Sequence, residues 1–366
     1  MKTSIRPIAI NLPQFHPVPE NDEWWGKGFT EWTNVTKAKP FFKEHYQPHL
    51  PADLGFYDLR MAEAREAQAE MAKKYGIQGF CYYHYWFNGR RILERPVQEI
   101  FQSGKPDFPF MFCWANENWT RRWDGQEQEL LLKQDYSPED DIAHMESLIP
   151  YFKDERYIKV NGKPVFALYK PFLLPDANET AKRWRKVAAE HGLELYLCHM
   201  VSFVEPDYYE EFDAVIDFEP FGVRHTGNIY KPPYSYLKRI QYVLEDAKRA
   251  LKGTYRLSLF DYESRYKSLK SVKEFPYKLF PTVTPNWDNS PRRGKKAHMI
   301  LENSTPEKFN DWVKKVADDF DPYSKEENFL FINAWNEWAE GNHMEPDRKW
   351  GHGYLEAFYA AIKDRL

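Results

Sequence analysis

The stretch Phe329-Leu-Phe-Ile-Asn-Ala-Trp-Asn-Glu-Trp-Ala-Glu-Gly341 begins as a continuous apolar run and ends as a cluster of polar and aromatic side chains. An apolar run without alternation reads as a strand buried on both faces, as in parallel sheets. Working outward, seven more runs share this form: Ile8–Phe15, Gly79–Trp86, Phe110–Ala115, Pro164–Tyr169, Leu193–Met200, Ala214–Phe218 and Leu279–Thr284. With Phe329–Trp335 they make eight predicted strands. Helix signals lie between them. Ser137-Pro138 and Thr305-Pro306 each place a capping hydroxyl before a proline suited to the first helical position. Asp176 with Glu179 resembles a capping box opening a helix that runs to about Gly192, and Asp58 is a candidate cap for a helix stopped at Gly76. Tyr354, Leu355, Phe358, Tyr359 and Ile362 follow the spacing of an amphipathic helix.

Eight strands alternating with helices predict an α/β fold, a (β/α)8 TIM barrel formed by residues 1–366 as one domain. A doubly wound open sheet also accommodates eight strands, but no Gly-rich phosphate fingerprint follows an early strand. Two connections are long. One runs from His16 to about Tyr57 and is rich in tryptophan and histidine. The other runs from Phe221 to about Tyr277, with a helix expected near Tyr236–Leu251. Both belong to the C-terminal face of the predicted barrel, where such enzymes keep their active sites.

The formal net charge of −4 gives no electrostatic footprint for nucleic acid or an anionic membrane. Aromatic residues make up 17% of the chain; core filling accounts for most of the phenylalanines and about half of the tryptophans, and the rest suit a half-wet pocket where sugar rings stack on their faces. Cys81, Cys113 and Cys198 lie in apolar runs and read as small buried hydrophobes. The N-terminus has no apolar signal core, and no stretch of 18 apolar residues occurs. The expectation is a soluble cytoplasmic protein without membrane insertion.

The polar and aromatic residues gather where the predicted strands end, which is how a barrel enzyme looks in sequence. Strand eight carries the sharpest pair, Glu337 and Glu340, three residues apart and flanked by Trp335 and Trp338. A carboxyl packed against indole has a raised pKa, suited to a general acid near neutrality. Glycoside cleavage needs one protonated carboxyl and one ionised partner. Glu117, between Asn116 and Asn118 and close to Trp114 and Trp119, can serve as a partner, bind sugar hydroxyls or pair with Arg121 or Arg122. Trp25, Glu31, Tyr83, His84, Trp86, His199, Glu219, Trp287, Asp288 and Asn336 complete the expected substrate-binding set. His84 and His199 are equally compatible with core histidines. No metal and no cofactor is expected. Pro48 breaks any helix that would align His45 with His49, and no P-loop, G-x-S-x-G elbow or C-x-x-C occurs.

Five segments carry a resemblance to a known family: Leu12–Pro17, Trp24–Val35, Gly79–Trp86, Cys113–Thr120 and Ala334–Gly341. Together they resemble the WbsX-like family, described as glycosyltransferases or lipopolysaccharide-biosynthesis proteins. That family is in turn similar to the family-99 glycoside hydrolases, endo-α-mannosidases built on (β/α)8 barrels. The resemblance implies that Glu337 is the base for a sugar 2-hydroxyl. It implies that Glu340 protonates the leaving oxygen and then activates water, along a retaining path through a 1,2-anhydro sugar. The expected substrate is an α-linked oligo- or polysaccharide, a mannose configuration being among the options. The rival expectation is a glycosyltransferase in surface-polysaccharide assembly. Against it stand the lack of a phosphate cradle and of a clear metal-binding Asp-x-Asp.

Overall fold

The computed structural model describes residues 3–121, 126–202, 209–225, 259–294, 297 and 299–366. The helix expected near Tyr236–Leu251 lies outside them. Eight parallel strands form the central sheet: β1 (Arg6–Asn11), β2 (Phe80–Phe87), β3 (Phe110–Trp114), β4 (Lys163–Leu168), β5 (Tyr196–Val201), β6 (Ala214–Asp217), β7 (Leu279–Phe280 and Thr282–Val283) and β8 (Phe329–Ile332). They pair in chain order. Arg6 stands opposite Phe329 and Ala9 opposite Ile332, so β8 returns to β1. Strand β7 is divided at Pro281, which has no N–H for the ladder. Its first half pairs with β6 and its second with β8, leaving a barrel that is nearly closed.

All eight predicted strands are present. The first and last predictions ran too far. β1 ends at Asn11 because Pro13 follows, and β8 ends at Ile332, where the chain turns to build the site. Ten helices accompany the strands among the described residues: α1 (Pro19–Trp25), α2 (Glu31–Lys37), α3 (Ala62–Lys74), α4 (Arg95–Ser103), α5 (Pro138–Phe152), α6 (Ala177–Glu190), α7 (Tyr262–Lys267), α8 (Ser290–Arg293), α9 (Pro306–Asp319) and α10 (Gly353–Ile362). The Ser137, Asp176 and Thr305 side chains accept from the backbone N–H groups of Asp140, Glu179 and Lys308, as capping requires. Asp58 does not cap α3. It binds Arg60 instead, and the helix starts three residues later.

Side chains alternate along each strand. In β2, Cys81, Tyr83 and Tyr85 take one face, while His84 and Trp86 face α5, where His144 stacks on both rings. Cys113 of β3 interacts with Cys81 and Cys198, and its thiol lies 3.8 Å from the Met200 sulfur. The three thiols are therefore free, buried and gathered inside the barrel. No described helix is long and apolar enough to cross a membrane.

Candidate active site

The C-terminal strand ends surround a cleft of about 300 Å³, and Glu337 and Glu340 both line it. After β8 the chain forms a two-residue antiparallel ladder, Asn336–Glu337 with Asn342–His343, closed by a 3-10 turn over Trp338–Glu340. Gly341 ends that turn with φ of 59°, a left-handed conformation glycine adopts without strain. Asn336 fixes the assembly to β1. Its Oδ1 accepts from the Leu12 N–H at 2.7 Å and its Nδ2 donates to the Leu12 carbonyl at 3.0 Å.

At the centre sits Arg292 of α8, a short helix whose entry is shaped by the Asp288 carboxylate accepting from the Ser290 N–H. Its Nη1 donates to Glu340 Oε1 at 2.6 Å. Its Nη2 donates to Glu337 Oε2 and Glu31 Oε1, each at 2.7 Å. Glu31, the first residue of α2, is fully buried and also accepts from the Ala339 N–H. Three carboxylates thus share one guanidinium. Burial and the neighbouring carboxylates push Glu337 up to about 8, with Arg292 pulling the other way. Glu340 is raised for the same reasons. Burial works against the charge of Arg292, yet the three carboxylates outweigh it and hold the guanidinium protonated. Two carboxyls with raised proton affinity therefore sit on one short turn.

Aromatic walls complete the cleft. Trp25, Tyr83, Tyr85, Trp119, Tyr169 and Trp287 line it, together with Glu117, Lys170 and Arg293. Glu117 pairs with Lys170 at 2.5 Å, and the side chains of Arg121 and Arg122, its other expected partners, lie outside the described residues. Burial raises the Tyr83, Tyr85 and Tyr169 phenols, so they act as neutral hydrogen-bonding groups.

Several expected sugar-binding residues lie elsewhere, and strand alternation explains four of them, His84, Trp86, Trp114 and His199. His84 bonds His144 at 3.0 Å and Trp86 bonds Asp140, both on the helix side of β2. Trp114 is packed against His144 and Trp184. His199, between the inward-facing Cys198 and Met200, meets Tyr209 and Phe212. Asn116 clasps the ends of β3 and β4 by bonding both the N–H and the carbonyl of Lys170. Glu219 is buried on His225 at 2.7 Å. Asp288 faces away from the cleft, holding His45 and Gln47 at 2.7 and 2.6 Å. Trp335 packs on Phe80, and Trp338 donates to Glu345 while stacking on His343. The glutamates owe their raised pKa to burial and to neighbouring carboxylates, Glu31 acting on both and Glu340 on Glu337. Arg292, Tyr85, Tyr169 and Lys170 were missed. The signal for Arg292 was present, since two glutamates converging on one buried point require a cation, and Arg292-Arg293 follows β7.

Residues 7–358 match the model of a family described as "Glycosyltransferase WbsX". Curated relatives from two strains of Xanthomonas campestris pv. campestris, each described as "Uncharacterized protein WxcX", are 39% identical over 358 residues. The match covers 97% of this chain and 49% of each relative, so the chain spans about half the length of the curated relatives it matches. Among solved structures, a "Glycoside hydrolase-like protein" has a TM-score of 0.58 at 13% identity, covering 99% of this chain and 94% of the other. The GH99 endo-alpha-mannosidase from Bacteroides thetaiotaomicron has a TM-score of 0.56 at 13% identity, covering 99% and 98%. These likenesses show a shared barrel fold.

Proposed function

The chain belongs to the WbsX glycosyltransferase family, and from the carboxylates gathered on Arg292 we propose that it is a carbohydrate-active enzyme cleaving an α-linked glycosidic bond with retention. The single observation behind this is one guanidinium bridging Glu337 and Glu340 at the floor of an aromatic cleft.

In this scheme Glu337 removes the proton of the sugar 2-hydroxyl while O2 attacks C1. Glu340 protonates the departing oxygen, leaving a 1,2-anhydro sugar. Water then gives a proton to Glu340 and attacks C1, and Glu337 returns its proton to O2. The scheme needs the shared proton on Glu340 when substrate is bound, although burial raises Glu337 in the empty cleft. A 2-hydroxyl donating to Glu337 favours its ionised form and moves the proton to Glu340. Arg292 offsets the remaining charge throughout. Trp25, Trp119 and Trp287 offer faces for sugar rings, and Glu117 with Lys170 offers a polar edge for hydroxyls.

The test uses α-glycosides with and without a 2-hydroxyl. Turnover is expected only for those that carry it, although both kinds bind. Comparable turnover of a 2-deoxy substrate sinks the O2 route. The family's description favours a second reading, transfer from an activated sugar. The chain's one Asp-x-Asp, Asp319 to Asp321, does not suit a metal–nucleotide site. Asp319 is engaged by Arg224, Ser271 and the Val272 N–H, and Asp321 pairs with Lys273. Calorimetry with nucleotide sugars, with and without a divalent ion, is expected to show no binding, and micromolar binding there reverses the order of the two readings.

A further inference from the structure

Behind the turn that carries Glu340, a second cavity of about 1040 Å³ opens between the first connection and the segment that follows β8. His49, His343 and Asp347 line it together, all three buried. We propose that these residues form a binding site for a divalent transition-metal ion of the zinc class. The proposal is independent of how Glu337 and Glu340 act.

Geometry carries it. The available ligand atoms of the three residues lie within 4.8 Å of one another. His49 Nδ1 is 2.9 Å from His343 Nε2. Two ligand atoms on one such ion, each about 2.0–2.2 Å from it, lie roughly 3–3.5 Å apart, so side-chain rotations of about 1 Å complete the site. The histidines are oriented as ligands are. His343 Nδ1 donates to the Glu345 carbonyl at 2.9 Å, which puts the proton on Nδ1 and turns the Nε2 lone pair toward His49. The His343 ring lies flat on Trp338 at 3.7 Å, and His49 stacks on Tyr46 at 4.3 Å, so neither ring turns freely. Asp347 is fixed through Oδ1, which accepts from the Lys349 and Trp350 N–H groups at 2.9 and 2.6 Å.

The chemistry is consistent with that geometry. Two imidazoles and a carboxylate suit zinc and its first-row neighbours, whereas calcium and magnesium prefer all-oxygen cages. Three protein ligands beside a roomy cavity leave positions for water and a path of entry. Without an ion, the His49 Nδ1 proton bridges to His343 Nε2. Metal binding through Nδ1 moves that proton to His49 Nε2, a tautomer change that leaves the ring neutral.

The ligands come from opposite ends of the chain, so no short motif announces them. Sequence spacing paired His49 with His45, but His45 is taken by Asp288 and the true neighbour is 294 residues away. A bound ion ties the first connection to the segment immediately after the Glu340 turn.

The test uses the full chain, prepared without a histidine tag and stripped with a chelator. Zinc is titrated calorimetrically, and cobalt is added as a spectroscopic probe. One ion per chain is expected, at micromolar or tighter affinity, with a cobalt spectrum of lower than six-fold coordination. His49→Gln and Asp347→Asn, the latter keeping an oxygen for the two backbone N–H groups, should each weaken binding at least about tenfold. His191→Gln, at a distant surface pair with Glu146, should not. Absence of stoichiometric binding, or wild-type affinity in both ligand variants, overturns the proposal. Should a ligand variant fail to fold without metal, the wild-type cobalt spectrum decides, and a hexa-aquo-like spectrum counts against the site.

Discussion

Glu337 with Glu340 and Asp288 are acidic groups at the ends of adjacent strands, yet their surroundings are opposite. The first two, with Glu31, share one guanidinium, and the pair is raised. Asp288 stands alone with His45, Gln47 and the Ser290 N–H. Although burial raises it, these bonds win and hold it below the ordinary carboxylate range. Glu219, on His225, follows Asp288: burial is again outweighed and the carboxyl is lowered. An over-supplied carboxylate braces a barrel rim, and an under-supplied cluster keeps a proton it can exchange. The two regions also touch, because the Asp288 N–H donates to the Glu340 carbonyl at 2.6 Å. The brace therefore supports the reactive turn.

The largest expected effect breaks the comparison by swapping chemistry for scaffolding. Glu340→Gln and Glu337→Gln should each lower kcat/KM by about 10³–10⁴, with Tm unchanged or higher because a like charge leaves a crowded site. Asp288→Ala should do the reverse, costing about 3–5 kcal/mol of stability by stranding His45 and Gln47, while kcat per folded molecule changes by less than about tenfold. Thermal unfolding and steady-state kinetics on the same samples separate the two. A Glu340→Gln enzyme with normal activity removes that residue from the reaction.

This contrast also marks how far the sequence could be read. Buried parallel strands announce themselves by continuous apolar runs, so all eight were visible, and so was the glutamate pair at the end of the last. What could not be read is orientation. Tyr83, His84, Tyr85 and Trp86 look equally suited to sugar binding, but only Tyr83 and Tyr85 line the cleft. Applying the two-residue period consistently would have separated them. Long-range partners were the second blind spot. Lys170 on Glu117 and Arg292 across Glu31, Glu337 and Glu340 are set by barrel closure, which no local spacing encodes.

A second prediction sharpens the comparison through pH. The glutamate pair must hold one shared proton to react, and its loss from the empty cleft, where Glu337 is raised to about 8, gives kcat/KM an alkaline limb near that pH. Arg292 lowers both glutamates, so Arg292→Gln should move that limb to higher pH and reduce kcat/KM by about 10² or more. A limb that stays in place shows that the guanidinium does not set the proton's affinity. Trp119→Ala, smaller in effect, removes a cleft wall that rests against Tyr85 and Phe87 without touching the carboxylates. It should raise KM about three- to tenfold at nearly constant kcat, in line with an aromatic contact of about 0.5–1.5 kcal/mol. A fall in kcat alone would place Trp119 with the reacting groups instead.

The smallest effect concerns Glu345, an intermediate between the two kinds of carboxylate. It accepts from Tyr57, Gln68 and Trp338 at 2.6–2.9 Å, yet burial outweighs these bonds and pushes it up to about 7. A folded-state pKa above the unfolded value means that the native chain binds the proton more tightly. Its contribution to stability is complete below about 4.5 and is lost as pH rises toward 7. In a Glu337→Gln background, which removes the larger slope of the same sign, Tm should still fall between pH 5 and 7. Adding Glu345→Gln should flatten that fall while leaving Trp338 a partner of similar shape. An unchanged slope would mean that the three neutral donors compensate Glu345 as fully as His45 and Gln47 compensate Asp288, and that Glu345 belongs with the bracing carboxylates.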